Sequence, residues 1–159
     1  MKQVASKTGF TDYKIRPFET IAEQVRKWRE EDWSLVFTNG CFDLLQRIQK
    51  RASITELNVV SNPSIQHRVL NHWDNLDRTV ERGYAGFSIW NWHQLPAYLD
   101  VRYTDYARAN ASIGINGTVV TNVNANALVF RHDYLEKAAA LAGVFRAYGI
   151  RLYLTARFS

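Results

Sequence analysis

Gln66-His67-Arg68-Val69-Leu70-Asn71-His72-Trp73-Asp74-Asn75 is the stretch at which the chain changes character. His67 to Asn71 reads as a short strand with an apolar centre. The loop after it runs through Gly83, Gly86 and Trp90-Asn91-Trp92-His93 to Pro96. From about Leu99 to Ala111, Tyr103, Tyr106 and Ala107 recur on one side at helical spacing, and Gly114 ends that helix. Gly117 to Thr121 is a second strand. Asp133 to Tyr148 is a second helix that opens on an acid and carries Leu135, Ala138, Ala139, Leu141, Ala142 and Phe145 on its apolar side. Gly149 stops it, and Ile150 to Thr155 forms a third strand. Strands that alternate with helices predict the α/β class, with parallel βαβ units joined by right-handed crossovers.

Upstream, the pattern predicts a helix, a strand and another helix. Phe18 to Glu31 places Ile21, Ala22, Val25 and Trp28 on one side, with Pro17 at the helix start. Ser34-Leu35-Val36-Phe37-Thr38 reads as a strand closed by an Asn39-Gly40 turn, and Phe42 to Lys50 as helix. Ile54 to Pro63 is extended, with a turn forced at Asn62-Pro63.

The bulk composition narrows the classes. With 159 residues, 47% of them hydrophobic and 13% aromatic, the chain can bury a core and is not intrinsically disordered. No apolar run is long enough to span a bilayer, and Met1 to Lys7 lacks the apolar stretch of a secretory signal, so a soluble cytoplasmic protein without a membrane partner is expected. The single cysteine, Cys41, excludes an intrachain disulfide and suits a reducing compartment. No histidine lies near it in sequence, which favours a small buried residue at a strand end over a nucleophile. The formal charge of +5 is spread among acids, as in Arg26-Lys27-Trp28-Arg29-Glu30-Glu31-Asp32. Gln46-Arg47-Ile48-Gln49-Lys50-Arg51 is too short for a nucleic-acid stripe, so no nucleic-acid partner is expected. A mildly basic surface does suit an acidic sugar polymer.

Trp73-Asp74-Asn75 joins an indole, a carboxylate and an amide directly behind the first strand. Sugars present apolar ring faces and hydroxyl edges, and those three groups match both. The stretch from Leu70 to Gly86, together with Gly114-Ile115-Asn116-Gly117-Thr118-Val119-Val120-Thr121-Asn122-Val123-Asn124-Ala125-Asn126, resembles the α-glucuronidases. These glycoside hydrolases remove 4-O-methylglucuronic acid from xylan side chains. The resemblance runs from about Phe42 to Ser159. It implies a partial (β/α)8 TIM barrel over residues 46–159, with about three parallel βα units, and a glucuronic-acid-bearing xylooligosaccharide as partner.

In such a barrel the site lies at the carboxyl ends of the strands. The resemblance therefore implies substrate contacts from Trp73, Asp74 and Asn75, from Asn122, Val123 and Asn124, and from the third strand's Arg157 beyond Ala156. Trp73 would stack on a ring, Asp74, Asn75, Asn122 and Asn124 would bond hydroxyls, and Arg157 would face a uronate carboxylate. Each has a plainer alternative: Trp73 as core, Asn122 to Asn126 as turn formers, Arg157 as a surface charge.

Glycoside hydrolysis needs two carboxyl groups about 5–9.5 Å apart across the bond. The clustered carboxylates Asp74, Asp77 and Glu81 share one loop, and Asp77 and Glu81 are expected to pair with Arg78 or Arg82. No catalytic residue is therefore assigned within this chain; the family's acid and base are expected on later strands. His67, His72, His93 and His132 lack metal-ligand spacing, and there is no P-loop or Gly-x-Gly-x-x-Gly, so neither metal nor cofactor is expected.

A second resemblance lies upstream. Leu35-Val36-Phe37-Thr38-Asn39-Gly40-Cys41-Phe42-Asp43-Leu44-Leu45 resembles the opening of the cytidylyltransferase-like nucleotidyltransferases, whose His-x-Gly-His motif falls here on Gln46, Arg47, Ile48 and Gln49. Both imidazoles and the glycine are replaced, so nucleotidyl transfer is not expected. The two resemblances together suggest a chimera, with residues 1–45 nucleotidyltransferase-like and a junction across Phe42 to Leu45. Two further roles follow as alternatives: a homo-oligomer paired through open barrel edges, and a residual nucleotide binder through Thr38-Asn39-Gly40.

Overall fold

The computed structural model describes residues 13–15, 34–55, 57–61 and 63–157. The chain divides into two units, residues 1–66 and 67–159. The expected helix from Phe18 to Glu31 lies outside the described residues.

In the first unit, strand β1 (Tyr13–Ile15) pairs antiparallel with β2 (Val59–Ser61), setting Tyr13 opposite Ser61 and Ile15 opposite Val59. Helix α1 (Ser34–Gln49) occupies the segment between them. This corrects the expected strand at Ser34–Thr38: the helix runs through that segment and on through Asn39-Gly40. The β-preferring residues Val36, Phe37 and Thr38 are few, and they adjoin the good helix formers Leu44, Leu45, Gln46 and Arg47. An Asp43–Arg47 pair at 2.8 Å, one helical turn apart, supports the same conformation. Continuing an existing helix costs less than ending it for a short strand. Cys41 is consequently an exposed helical residue, not a buried one at a strand end. The junction expected at Phe42–Leu45 falls inside α1.

The second unit is built on a parallel sheet of β3 (Val69–Asn71), β4 (Gly117–Val119) and β5 (Arg151–Tyr153), in that order. Val69, Gly117 and Arg151 are in register, as are Asn71, Val119 and Tyr153. Helix α2 (Val101–Ser112) lies between β3 and β4 in sequence, and α3 (His132–Arg146) between β4 and β5. A 3-10 turn at Ala127–Phe130 precedes α3, capped by Asn126 Oδ1 accepting from Leu128 N–H at 2.9 Å. The alternation and the parallel pairing are those of an α/β domain.

One face of the sheet carries the core. Thr118 and Val120 are fully buried there with Tyr103, Ala107, Leu141 and Phe145 of the helices. On α3 the buried stripe is Ala138, Leu141 and Phe145. Leu135 and Ala139, expected to belong to it, are exposed, because positions three and four apart fill only a narrow strip of a helix. On the opposite face Gly117 is essential for another reason. A Cβ there would stand 2.9 Å from both Tyr153 Cε2 and Val69 Cγ2, so its absence lets the two flanking side chains close over β4.

Candidate functional site

The backbone ladder continues past the strands and gathers their carboxyl ends. His72 N–H donates to Val119 O at 3.0 Å, Val120 N–H to Tyr153 O at 3.1 Å, and Asn122 N–H to Asp74 O at 2.7 Å. Thr121 and Thr155 lock the second and third ends together: Thr121 Oγ1 accepts from Thr155 N–H at 2.8 Å, while Thr155 Oγ1 lies 2.9 Å from Thr121 O and 3.0 Å from Asn122 O. Farther out, Arg157 N–H donates to Ala125 O at 2.9 Å. The segments Trp73–Asn75, Thr121–Asn124 and Thr155–Arg157 thus form one rim.

Along that rim the expected residues divide into two groups. Asp74 is only 4% exposed, and its Oδ2 accepts from Ser88 Oγ at 2.6 Å; Ser88 Oγ in turn accepts from Trp90 N–H at 2.9 Å. Asn75 Nδ2 donates to Thr79 Oγ1 at 2.9 Å and Glu81 O at 2.7 Å. Asn122 is buried, accepting from Asn124 N–H at 2.9 Å and donating to Trp73 O at 3.3 Å. These three side chains shape the loops, and Asn122 is the turn former that its residue type allows. Trp73 (45% exposed), Val123, Asn124 and Arg157 are the members presented to solvent.

The carboxylates of the first loop are also committed. Asp77 Oδ1 accepts from Thr79 N–H and Thr79 Oγ1, hydrogen bonds that hold its carboxyl below the ordinary aspartate range. Glu81 stands 3.7 Å from Arg82, the neighbour expected as one of its partners. Among the described residues no group of three His, Cys, Asp or Glu side chains could hold a metal ion.

Beneath the rim lies a polar thread that composition did not reveal. His72 Nε2 is 2.7 Å from Tyr106 Oη, which is 2.8 Å from Thr118 Oγ1, tying the end of β3 through α2 to the middle of β4. Trp90, fully buried, packs edge-on to His72 and Tyr106 with centroids at 5.5 and 5.0 Å, and against Phe145 at 5.5 Å. Burial pushes the His72 pKa down, opposed by the nearby Asp74 charge, and pushes the Tyr106 pKa up. Ser88 therefore positions Asp74, while Trp90 and Tyr106 hold His72, the residue before Trp73. In sequence the only hint was the polar residue Ser88 set just before an aromatic run.

A family model described as the glycosyl hydrolase family 67 middle domain matches residues 47–159. The chain belongs to glycosyl hydrolase family 67. Alpha-glucuronidase A of Emericella nidulans is 38% identical over 125 residues, covering 76% of this chain and 15% of its own length. Probable alpha-glucuronidases A of Aspergillus terreus and Neosartorya fischeri are 38% and 37% identical over 121 residues, each covering 76% of this chain and 14% of the relative. The chain thus spans about 15% of the length of these relatives. The family 67 match begins at Arg47, in the last turn of α1, and takes in β2 and the whole parallel sheet with its rim. The strand and turn on which the nucleotidyltransferase resemblance rested are helical.

Proposed function

We propose that this chain supplies one wall of the sugar site of an α-glucuronidase that hydrolyses α-1,2-linked (4-O-methyl)glucuronic acid from xylan or xylooligosaccharides. The observation that carries this reading is the gathering of Trp73, Val123, Asn124 and Arg157 on a rim stitched from three parallel strand ends. Trp73 offers a ring face, Asn124 hydroxyl contacts and Arg157 a charged fork for a uronate. The sheet is then a sector of a (β/α)8 barrel. Its inner face, with Val69 and Tyr153 exposed, would be covered by the barrel's other strands. The acid and base are assigned to those other strands, since Asp74, Asp77 and Glu81 are engaged within one loop.

Isothermal titration with glucuronic acid tests the wall. Weak binding, lost on Trp73→Ala, is expected, and no heat of binding would overturn it. Incubation with an aldouronic acid is expected to release no glucuronic acid; turnover abolished by Asp74→Ala would restore catalysis to this chain. A second reading, self-association, is favoured by the positions of β3 and β5 at the two edges of the sheet. Light scattering that gives a monomer would end it.

A further inference from the structure

The thread beneath the rim fixes the positions of its own hydrogens. Thr118 is fully buried on β4, and Tyr106 Oη, at 2.8 Å, is the only hydrogen-bond partner of its hydroxyl among the described residues. A buried hydroxyl hydrogen needs an acceptor, whereas an oxygen lone pair tolerates being left without a donor. Thr118 therefore donates and Tyr106 Oη accepts. Tyr106 must then direct its own hydrogen along its one remaining contact, to His72 Nε2 at 2.7 Å. The thread runs in a single direction, from Thr118 through Tyr106 to His72, and it ends on an acceptor. Nε2 is thus bare, and the neutral ring carries its proton on Nδ1, which is not sealed from solvent.

Protonation would reverse every bond in the thread. An imidazolium donates from both nitrogens, so Nε2–H would need Tyr106 Oη as its acceptor. Tyr106 would turn its hydrogen to Thr118 Oγ1, and Thr118 would keep a hydrogen that meets no oxygen in the core. The groups around the ring are Tyr106 from α2, Thr118 behind it on β4, and the uncharged Trp90, edge-on at 5.5 Å. Phe145 of α3 reaches Trp90 and Tyr106 and brings no charge. Asp74 is the one charged group among the described residues that acts on the ring, and it favours the cation, against burial.

What the ring holds is the end of β3. His72 N–H donates to Val119 O at 3.0 Å, and the next residue is Trp73, whose carbonyl accepts from Glu81 N–H and Asn122 Nδ2. We propose that His72, Tyr106 and Thr118 form a proton-sensitive latch, closed on the Nδ1–H form of His72 and opened by uptake of one proton at Nε2, which releases the strand end that carries Trp73. The latch needs no ligand and is independent of the sugar-site reading.

It is tested on the full chain by NMR of the histidine ring nitrogens, assigned with His72→Phe, and of the Trp73 indole N–H, assigned with Trp73→Phe, between about pH 8 and 5. At the upper end His72 Nε2 is expected to show the signature of an unprotonated nitrogen. The Trp73 signal is expected to move with the same midpoint as the His72 ring. Tyr106→Phe/Thr118→Val removes the thread without orphaning a hydroxyl; it should raise the proton affinity of His72 about tenfold and uncouple Trp73. Thr118→Ser keeps the hydroxyl and should behave as the wild type. A neutral His72 protonated on Nε2 overturns the proposal, as does a Trp73 signal indifferent to the His72 titration or an unchanged midpoint in a folded double variant. Should the double variant not fold, the ring signature and the Trp73 coupling of the unmodified chain decide.

Discussion

Trp90 shows how one side chain can hold several elements at once. It meets His72 just after β3, Tyr103 and Tyr106 from α2 and Phe145 from α3, while its Nε1–H is buried without an acceptor. Trp90→Ala should therefore cost about 3–5 kcal/mol in a urea titration. Trp90→Phe should cost clearly less, since it removes the orphan donor while keeping a ring. His72 adds a pH dependence. Its folded pKa is lowered, chiefly by burial, so the unfolded chain protonates first; the stability tied to neutral His72 is complete above 6.5 and falls as pH drops below it. A chemical-denaturation series across that range should steepen in the wild type and flatten in His72→Phe. Little of this was legible beforehand. Trp73 could be singled out because it follows a recognisable strand, but Trp90 sits in an irregular loop where no periodicity separates core from surface. The internal bonds of Asp74 and Asn122 could not be read from residue type, because loop closure itself needs buried acceptors and donors.

Among the elements, β4 is the most constrained. Gly117→Ala must push aside Tyr153 and Val69, and because both contacts are side-chain atoms the expected cost is about 1 kcal/mol, read as a shift in the urea midpoint. Thr121→Val breaks the lock with Thr155 and should cost about 1–2 kcal/mol by the same assay. At the start of α2, Asp100 accepts from Arg102 N–H at 2.9 Å and from Arg102 Nη2 at 2.7 Å. The Arg102 side-chain hydrogen bonds hold its carboxyl at about 2, so this contribution is present above the ordinary aspartate range and is lost as pH falls toward 2. Asp100→Asn should lessen acid sensitivity of α2 ellipticity in that window. The helices and strands of the second unit were readable because apolar spacing, Gly114 and Gly149 agree on their limits. Ser34–Thr38 was misread because a five-residue window of β-preferring side chains cannot weigh the helix that continues beyond it. β1 escaped notice because a three-residue strand gains its identity from a distant partner.

For the molecule as a whole, all members of the aromatic cluster lie within residues 67–159. A chain lacking residues 1–66 is therefore expected to keep its near-ultraviolet circular dichroism, and loss of that signal would show that the cluster depends on the first unit. The α/β class followed from the alternation of strand and helix patterns, whereas the extent of any barrel cannot follow from three strands. Deep and shallow indoles in one domain carry a practical consequence. In a chain of residues 67–159, whose indoles are Trp73, Trp90 and Trp92, acrylamide can collide with Trp73 but not with the fully enclosed Trp90 and Trp92, so quencher-sensitive and quencher-resistant emission separate within a single spectrum. The first component reports what lands on the rim, and the second reports whether the fold beneath it is intact.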